Sequence, residues 1–357
     1  MNKETTPDPW PDLQTEIDRA IARNIKGLDF LTAPPPSVGR TPKDLLHANG
    51  TLRLYRYRPL SDEVYRVPVL FIMATTNRGY IFDLAPGQSF IEFLLKAGYD
   101  VFLLDWESPR EDEKGLRIED YVFDFIPDSI ARVQKATGED DVSLIAYCMG
   151  GTLAAMYAAL HPDAPLKNLV FLTTAIDFQK MGLFSRWFDK SSFDVDRLVD
   201  MMGNISPEVI YNAFAMLRPA SQAAGKLQLW QKLWDDEYVN SYRLMDHWSR
   251  DTVPLPGEYF RQIVKELFWK NGLVTGKLKL AGRTVSLENI KVPILHAMAE
   301  HDHIVPYETA KPLVAMASST DKEEIVLKGG HVSLIAGPNA IKRFWPKIDE
   351  WLGERST

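Results

Sequence analysis

Apolar residues change their spacing along this chain, and the changes recur in a fixed order. Residues 13–28 carry the three-to-four spacing of an amphipathic helix, and the loop APPPSVGRTP follows. Residues 51–58 (TLRLYRYR) alternate like a strand with one wet face. Short continuous apolar runs then take over at 68–73 (PVLFIM), 99–106 (YDVFLLDW), 141–147 (DVSLIAY) and 167–174 (KNLVFLTT). Each predicts a strand buried on both faces. Helices are predicted between them at 89–97, at 118 to about 137, and at 151–161, with Gly98 and Gly138 stopping the first two.

From 178 to 288 this rhythm breaks. The segment is rich in Trp, Phe and Met, with helical patches and no clear buried strand. The alternation returns with 292–298 (VPILHAM), a helix over 309–316, a strand over 323–328 (EEIVLK) and a closing helix over 339–352. Alternating strands and helices imply an α/β fold, a mostly parallel sheet with helices on both faces. The expected organisation is an amino-terminal arm (1–40), a first core segment (41–177), a helical cap or lid insertion (178–288) and a second core segment (289–357).

Bulk properties narrow the function. The 357 residues are 45% hydrophobic and 25% charged, an ordinary globular composition. A net charge of -7 without any Lys/Arg-rich run argues against a nucleic-acid partner. The polar, Pro-broken start is unlike a secretory segment, no apolar stretch is long enough for a transmembrane helix, and one Cys excludes an internal disulfide. These features suggest a reducing, cytoplasmic setting.

That single Cys sits where chemistry is expected. The stretch 142–152 (VSLIAYCMGGT) is a buried strand, a turn of small residues and a helix, with Cys148 at the turn. This is the context of a nucleophile elbow on an α/β-hydrolase fold. The helix that follows directs its free N–H groups and positive dipole end at the sulfur and favours the thiolate. The Met149 amide is placed to stabilise an oxyanion. The common Gly-x-nucleophile-x-Gly pattern is altered, since Ala146 holds the first Gly position.

The fold orders its triad as nucleophile, acid, base. Asp302 follows the strand at 292–298, and His331 follows Gly329-Gly330 after the strand at 323–328. His331 is the expected general base, and Asp302 the group that orients it. His301 and His303 flank Asp302, but no further ligand cluster with metal spacing accompanies them, so no metal is expected. The turn after 68–73, ATTNRGY, is where the fold supplies a second oxyanion amide, from Thr76 or Asn77. Arg78 in that turn is equally a substrate contact or a structural ion-pair partner.

Several segments together resemble the polyhydroxyalkanoate synthases. They are VGRTPKDLL, TTNRGYIFDLAPGQSF, GYDVFLLDWESP, AYCMGGT, FLTTAIDF, the run from DTVPLPGEYF to LENIKVPIL, HDHIVP and GGHVSLIAGP, and they span roughly residues 35–352. The short chain and the GGHVSLIAGP ending look like the smaller synthases that work with a second subunit. The resemblance implies polymerisation of (R)-3-hydroxyacyl-CoA, short-chain 3-hydroxybutyryl-CoA first, with polyester carried on Cys148 and CoA released. It implies no cofactor, CoA thioester being the substrate, and it implies a homo-oligomer located at the polyester granule surface. Cys148, Asp302 and His331 match the family's triad, and Asp302 there can also help activate the substrate hydroxyl. Thr76 matches the position before the family's oxyanion-hole Asn, usually aliphatic. Ala146, Glu107 after Asp-Trp, and the TTNRG turn depart from the pattern. The alternatives are a thioesterase or polyester depolymerase using the same triad, and a non-catalytic granule-associated paralogue. Phe184, Trp187, Phe188, Phe193, Trp230, Trp234 and Trp248 suit either a water-excluding lid or the insertion's own core.

Overall fold

A computed structural model describes residues 10–356; residues 1–9 of the expected arm, and residue 357, lie outside the described residues. The chain forms two compact units, one comprising residues up to Ser37 with Arg218–Arg250, the other Val38–Leu217 with the chain from Asp251 onward.

In the larger unit the strands are β1 (Lys43–Asn49), β2 (Leu52–Tyr57), β3 (Val69–Ile72), β4 (Val101–Trp106), β5 (Val142–Tyr147), β6 (Leu166–Leu172), a small hairpin of β7 (Lys279–Leu280) and β8 (Arg283–Thr284), β9 (Ile294–Ala299) and β10 (Lys322–Leu327). Eight of them make one sheet in the order β1-β2-β4-β3-β5-β6-β9-β10. β1 with β2, and β2 with β4, are antiparallel; every other neighbouring pair is parallel. Crossover helices such as Ile126–Thr137 and Met149–Leu160 separate the parallel strands, which cannot be joined by tight turns.

The central strands explain their own sequences. Every residue of β3, β5 and β9 is buried, so each reads as a nearly continuous apolar run, interrupted by Ser143 in β5 and His296 in β9. β1 gives no such signal. Its residues KDLLHAN are exposed or half-buried throughout, because an edge strand is held by backbone pairing to β2 and needs no apolar face. The helix predicted from 118 begins instead with a π-type segment, Asp120–Phe125, before regular helix runs from Ile126 to Thr137 and closes on Gly138 at φ 81°.

The smaller unit contains the helices Trp10–Thr32, Pro219–Gln231 and Asp236–Arg250. The first meets the others through cations. The Arg19 guanidinium lies 4.6 Å from the Trp234 ring centre, Arg23 lies 5.7 Å from that of Trp230, and Lys26 Nζ is 2.6 Å from Asp236 Oδ1. Its aliphatic row, Leu13, Ile17, Ile21, Ile25 and Leu28, stays exposed.

His296 on β9 is an anomaly in the sheet core. It is fully buried, and neither ring nitrogen has a hydrogen-bond partner among the described residues. Burial holds the imidazole neutral and pushes its pKa down to about 3. The folded state therefore binds this proton less well than the unfolded chain does. The stabilising effect is complete above the ordinary histidine value near pH 6.5 and is lost as pH falls below it, at about 1.4 kcal/mol per unit. Urea unfolding at pH 7.5 and pH 5.0 checks this. The native chain should lose roughly 2 kcal/mol more between the two pH values than a His296→Leu variant does. Parallel losses would remove His296 as the cause.

Candidate active site

The turn from β5 into the helix Met149–Leu160 places Cys148 at φ 52°, ψ -121°, a backbone region that non-glycine residues rarely occupy. Such strain costs of order 1–3 kcal/mol and persists only where its surroundings enforce it. Here they do. The Cys148 N–H donates to Leu172 O at 2.9 Å on β6, and the Cys148 carbonyl accepts from Gly151 N at 3.0 Å and Thr152 N at 3.2 Å. Both following glycines are obligatory. A Cβ on Gly150 would lie 2.5 Å from Met73 O, and one on Gly151 would run into the Thr174 side chain. Ala146, by contrast, is accommodated: it is fully buried on β5, in register with Ile72 and Phe171, and its methyl packs in the sheet core.

Two loops bring the other titratable groups to this turn. Asp302 follows β9, and its Oδ1 accepts from Ile304 N at 2.8 Å and Val305 N at 2.9 Å. Its Oδ2 is 2.6 Å from His331 Nδ1. His331 opens a tight helical turn after Gly329, where φ is 144° and a Cβ would lie 2.5 Å from Ser333 Cβ. The Gly329 carbonyl also accepts from His301 N at 2.9 Å, tying the two loops together. Cys148 acts on the same imidazole, through its charge and through hydrogen bonding. Burial opposes charge on the imidazole, but the Asp302 carboxylate, then Cys148, overcome it and raise the His331 pKa to about 10. Cys148, His331 and Asp302 thus form one connected line.

The flanking histidines do not join it. His301 is exposed and His303 half-buried, while the Asp302 side chain between them is fully buried. Tyr147 does join it: its ring centre lies 5.1 Å from that of His331, a packing contact that steadies the imidazole. Nothing in the sequence singles out Tyr147 except that it precedes the cysteine.

The turn after β3 borders the same space. Thr75, Thr76, Cys148 and Met149 share the lining of one cavity of about 200 Å³. The Thr75 hydroxyl lies 3.2 Å from the buried Tyr259 hydroxyl, and Thr76 O accepts from Val253 N at 2.8 Å. Asn77 pairs instead with Thr252 as an isolated bridge. Arg78 is engaged structurally: it donates to Trp106 O at 3.0 Å and to Glu107 Oε2 at 2.9 Å, and lies 3.6 Å from Asp251. Two unusual positions, Glu107 and the TTNRG turn, are therefore joined by one ion pair. Beside them Asp105 is half-buried and accepts from the Gly79 and Trp106 amides at 2.9 Å each, and loss of hydration raises its pKa to about 6.

The rest of the cavity is apolar. Phe178, Met181, Phe184, Phe188, Ile210 and Phe268 belong to its wall, much of it supplied by the short helices between β6 and β9. Trp187 packs edge-on against Phe184 at 5.7 Å, behind that wall.

This arrangement has relatives. A family model described as the alpha/beta hydrolase fold matches residues 68–338. Another, described as the N-terminus of poly-beta-hydroxybutyrate polymerase (PhaC), matches residues 36–94. Among solved structures, a soluble variant of monoglyceride lipase from Saccharomyces cerevisiae superposes with a TM-score of 0.56 at 15% identity, over 91% of this chain and 100% of that one. A monoacylglycerol lipase from Paleococcus ferrophilus gives a TM-score of 0.50 at 17% identity, over 85% and 99%. These likenesses show the fold. In sequence, the chain is 35% identical over 353 residues to the poly(3-hydroxyalkanoate) polymerase subunit PhaC of Allochromatium vinosum, covering 98% of each. It is 34% identical to that of Thiocystis violacea, covering 92% of each. It is 32% identical to that of Haloferax mediterranei, covering 97% of this chain and 70% of the relative. With its α/β-hydrolase sheet and its match to these relatives along nearly its whole length, the chain belongs to the poly(3-hydroxyalkanoate) polymerase PhaC family.

Proposed function

We propose that this protein polymerises (R)-3-hydroxyacyl-CoA into polyhydroxyalkanoate through a thioester on Cys148, releasing CoA. The observation that carries the reading is the unbroken line from Cys148 through His331 to Asp302 at the edge of an apolar cavity. The proton of the thiol rests on His331, and the Cys148 thiolate attacks the acyl thioester, exchanging one thioester for another. The oxyanion is stabilised by the Met149 amide at the helix start, with the Thr76 amide as its second donor. Thr76 is preferred over Asn77 because it lines the cavity beside Cys148. The imidazolium then gives its proton to the departing CoA sulfur. In the next half-reaction His331 takes the proton of an incoming 3-hydroxyl, whose oxygen attacks the acyl-Cys148 carbonyl; the ester forms as the carbon–sulfur bond breaks, and Cys148 is released as the thiolate beside the imidazolium.

Asp302 serves this cycle by orienting His331 and stabilising its cation. Both its oxygens are occupied, and its side chain is fully buried, which favours orientation over direct contact with the substrate hydroxyl. The apolar wall supports polymerisation over hydrolysis, since water admitted to Cys148 would release the chain as free acid. The reading includes a second subunit, self-association, and a cytoplasmic site at the surface of the polyester. The relatives' designation as a polymerase subunit supports the first of these. Among the described residues no helix is long and apolar enough to cross a membrane.

The test is product analysis. Purified protein given four- or eight-carbon (R)-3-hydroxyacyl-CoA should release CoA and form polymer, and Cys148→Ala should release essentially none. Soluble hydroxy acid as the main product would overturn the polymerase reading in favour of a thioesterase. The pH profile tests the triad. The proton that His331 hands to CoA should remain available through pH 9 and be lost as pH passes about 10. Asp302→Asn should cut turnover by roughly 10³-fold and draw the alkaline limb toward neutrality by a unit or more. An unmoved limb would separate Asp302 from His331.

A further inference from the structure

The cavity above Cys148 is larger than a four-carbon substrate requires. We infer that it is a tail-binding site for a medium-chain 3-hydroxyacyl group, one with about five carbons beyond the hydroxyl-bearing carbon; this rests on the reading of Cys148 as the acyl carrier.

Wall chemistry identifies the occupant. Away from Thr75, Thr76 and Cys148, every residue lining the cavity is apolar, and none carries a charge. The phosphates and adenine of CoA would find no partner there. A polyester backbone fits poorly too, because its carbonyl oxygens would be desolvated without donors, and burying an unpaired acceptor is costly. A plain hydrocarbon tail leaves nothing unsatisfied.

Size sets the length. A cavity of about 150 Å³ lined by leucine, isoleucine and phenylalanine stays dry and binds benzene, a six-carbon ring. The cavity here is of about 200 Å³ with walls of the same kind. The single methyl that 3-hydroxybutyryl carries beyond its hydroxyl-bearing carbon would leave most of it empty. The wall residues also pack on one another, so the walls do not need a ligand to form. Phe188 packs on Phe268 at 4.9 Å and on Phe193 at 5.0 Å, while Phe184 packs on Phe214 at 5.6 Å. A preformed apolar site of this sort gains roughly fourfold in binding for each methylene buried. The family resemblance pointed to 3-hydroxybutyryl-CoA; the cavity favours a longer chain.

Ala213 is the smallest aliphatic side chain on this wall, and enlarging it should shorten the site. The experiment compares kcat/KM for CoA release from (R)-3-hydroxybutyryl-CoA and (R)-3-hydroxyoctanoyl-CoA, using the full chain and its Ala213→Phe variant. The native chain should favour the eight-carbon substrate by about tenfold or more, and Ala213→Phe should shift the ratio at least tenfold toward the four-carbon one. Equal or better use of the four-carbon substrate by the native chain overturns the inference while sparing the polymerase reading. No CoA release from either substrate overturns that reading instead. Should Ala213→Phe fail to fold, as judged by circular dichroism, the native comparison still decides.

Discussion

A single backbone turn sets the position of the Cys148 sulfur, and the rest of the structure is arranged around it. At Cys148 a strand buried on all sides must end, reverse its backbone through φ 52°, and start a helix within one residue. L-residues disfavour that conformation, so its energy has to be offset by neighbours. The offset comes from the Cys148 N–H bonded to β6 and from two glycines that let the helix sit directly on the ends of the strands. The result is a sulfur lifted above the sheet beside the first amides of a helix. Any residue larger than glycine at 150 would collide with the backbone carbonyls of Ile72 and Met73.

Around that turn, charge is confined to one line and apolar surface fills the rest. The His331 imidazole is buried, which by itself would favour its neutral form, yet the carboxylate of Asp302 reverses the balance. Asp302 in turn is fixed by two backbone amides, so the line cannot swing. The contrast with His296 is instructive. Both histidines are buried, one on β9 and the other in the turn after β10, but His296 has no carboxylate partner and is held neutral, whereas His331 is held cationic. Environment alone separates the two.

The loop after β3 shows how departures from a family pattern can be absorbed. Glu107 receives Arg78, Tyr80 donates to Asp251, and the Thr75 hydroxyl meets that of Tyr259. These polar contacts hold a turn that aliphatic packing would otherwise hold, and they leave the Cys148 line untouched.

The sequence alone determined the parallel core, the strand–turn–helix at Cys148 and the placing of Asp302 and His331 in loops after later strands, because each is written in local pattern. Strands buried on both faces are mostly apolar, a strained turn needs glycine beside it, and loops after successive parallel strands share one edge of the sheet. Local pattern could not decide what depends on distant partners. It gave no sign of β1, whose residues are held by pairing and not by burial. It left Arg78 open between substrate and ion pair, and gave Tyr147 and Tyr259 no role, since their contacts come from residues 28 to 184 positions away. It also read the amino-terminal helix as a separate arm, whereas Arg19, Arg23 and Lys26 unite it with Pro219–Gln231 and Asp236–Arg250. A cavity, likewise, is a property of walls brought together from several segments, so only the tertiary structure could give its size.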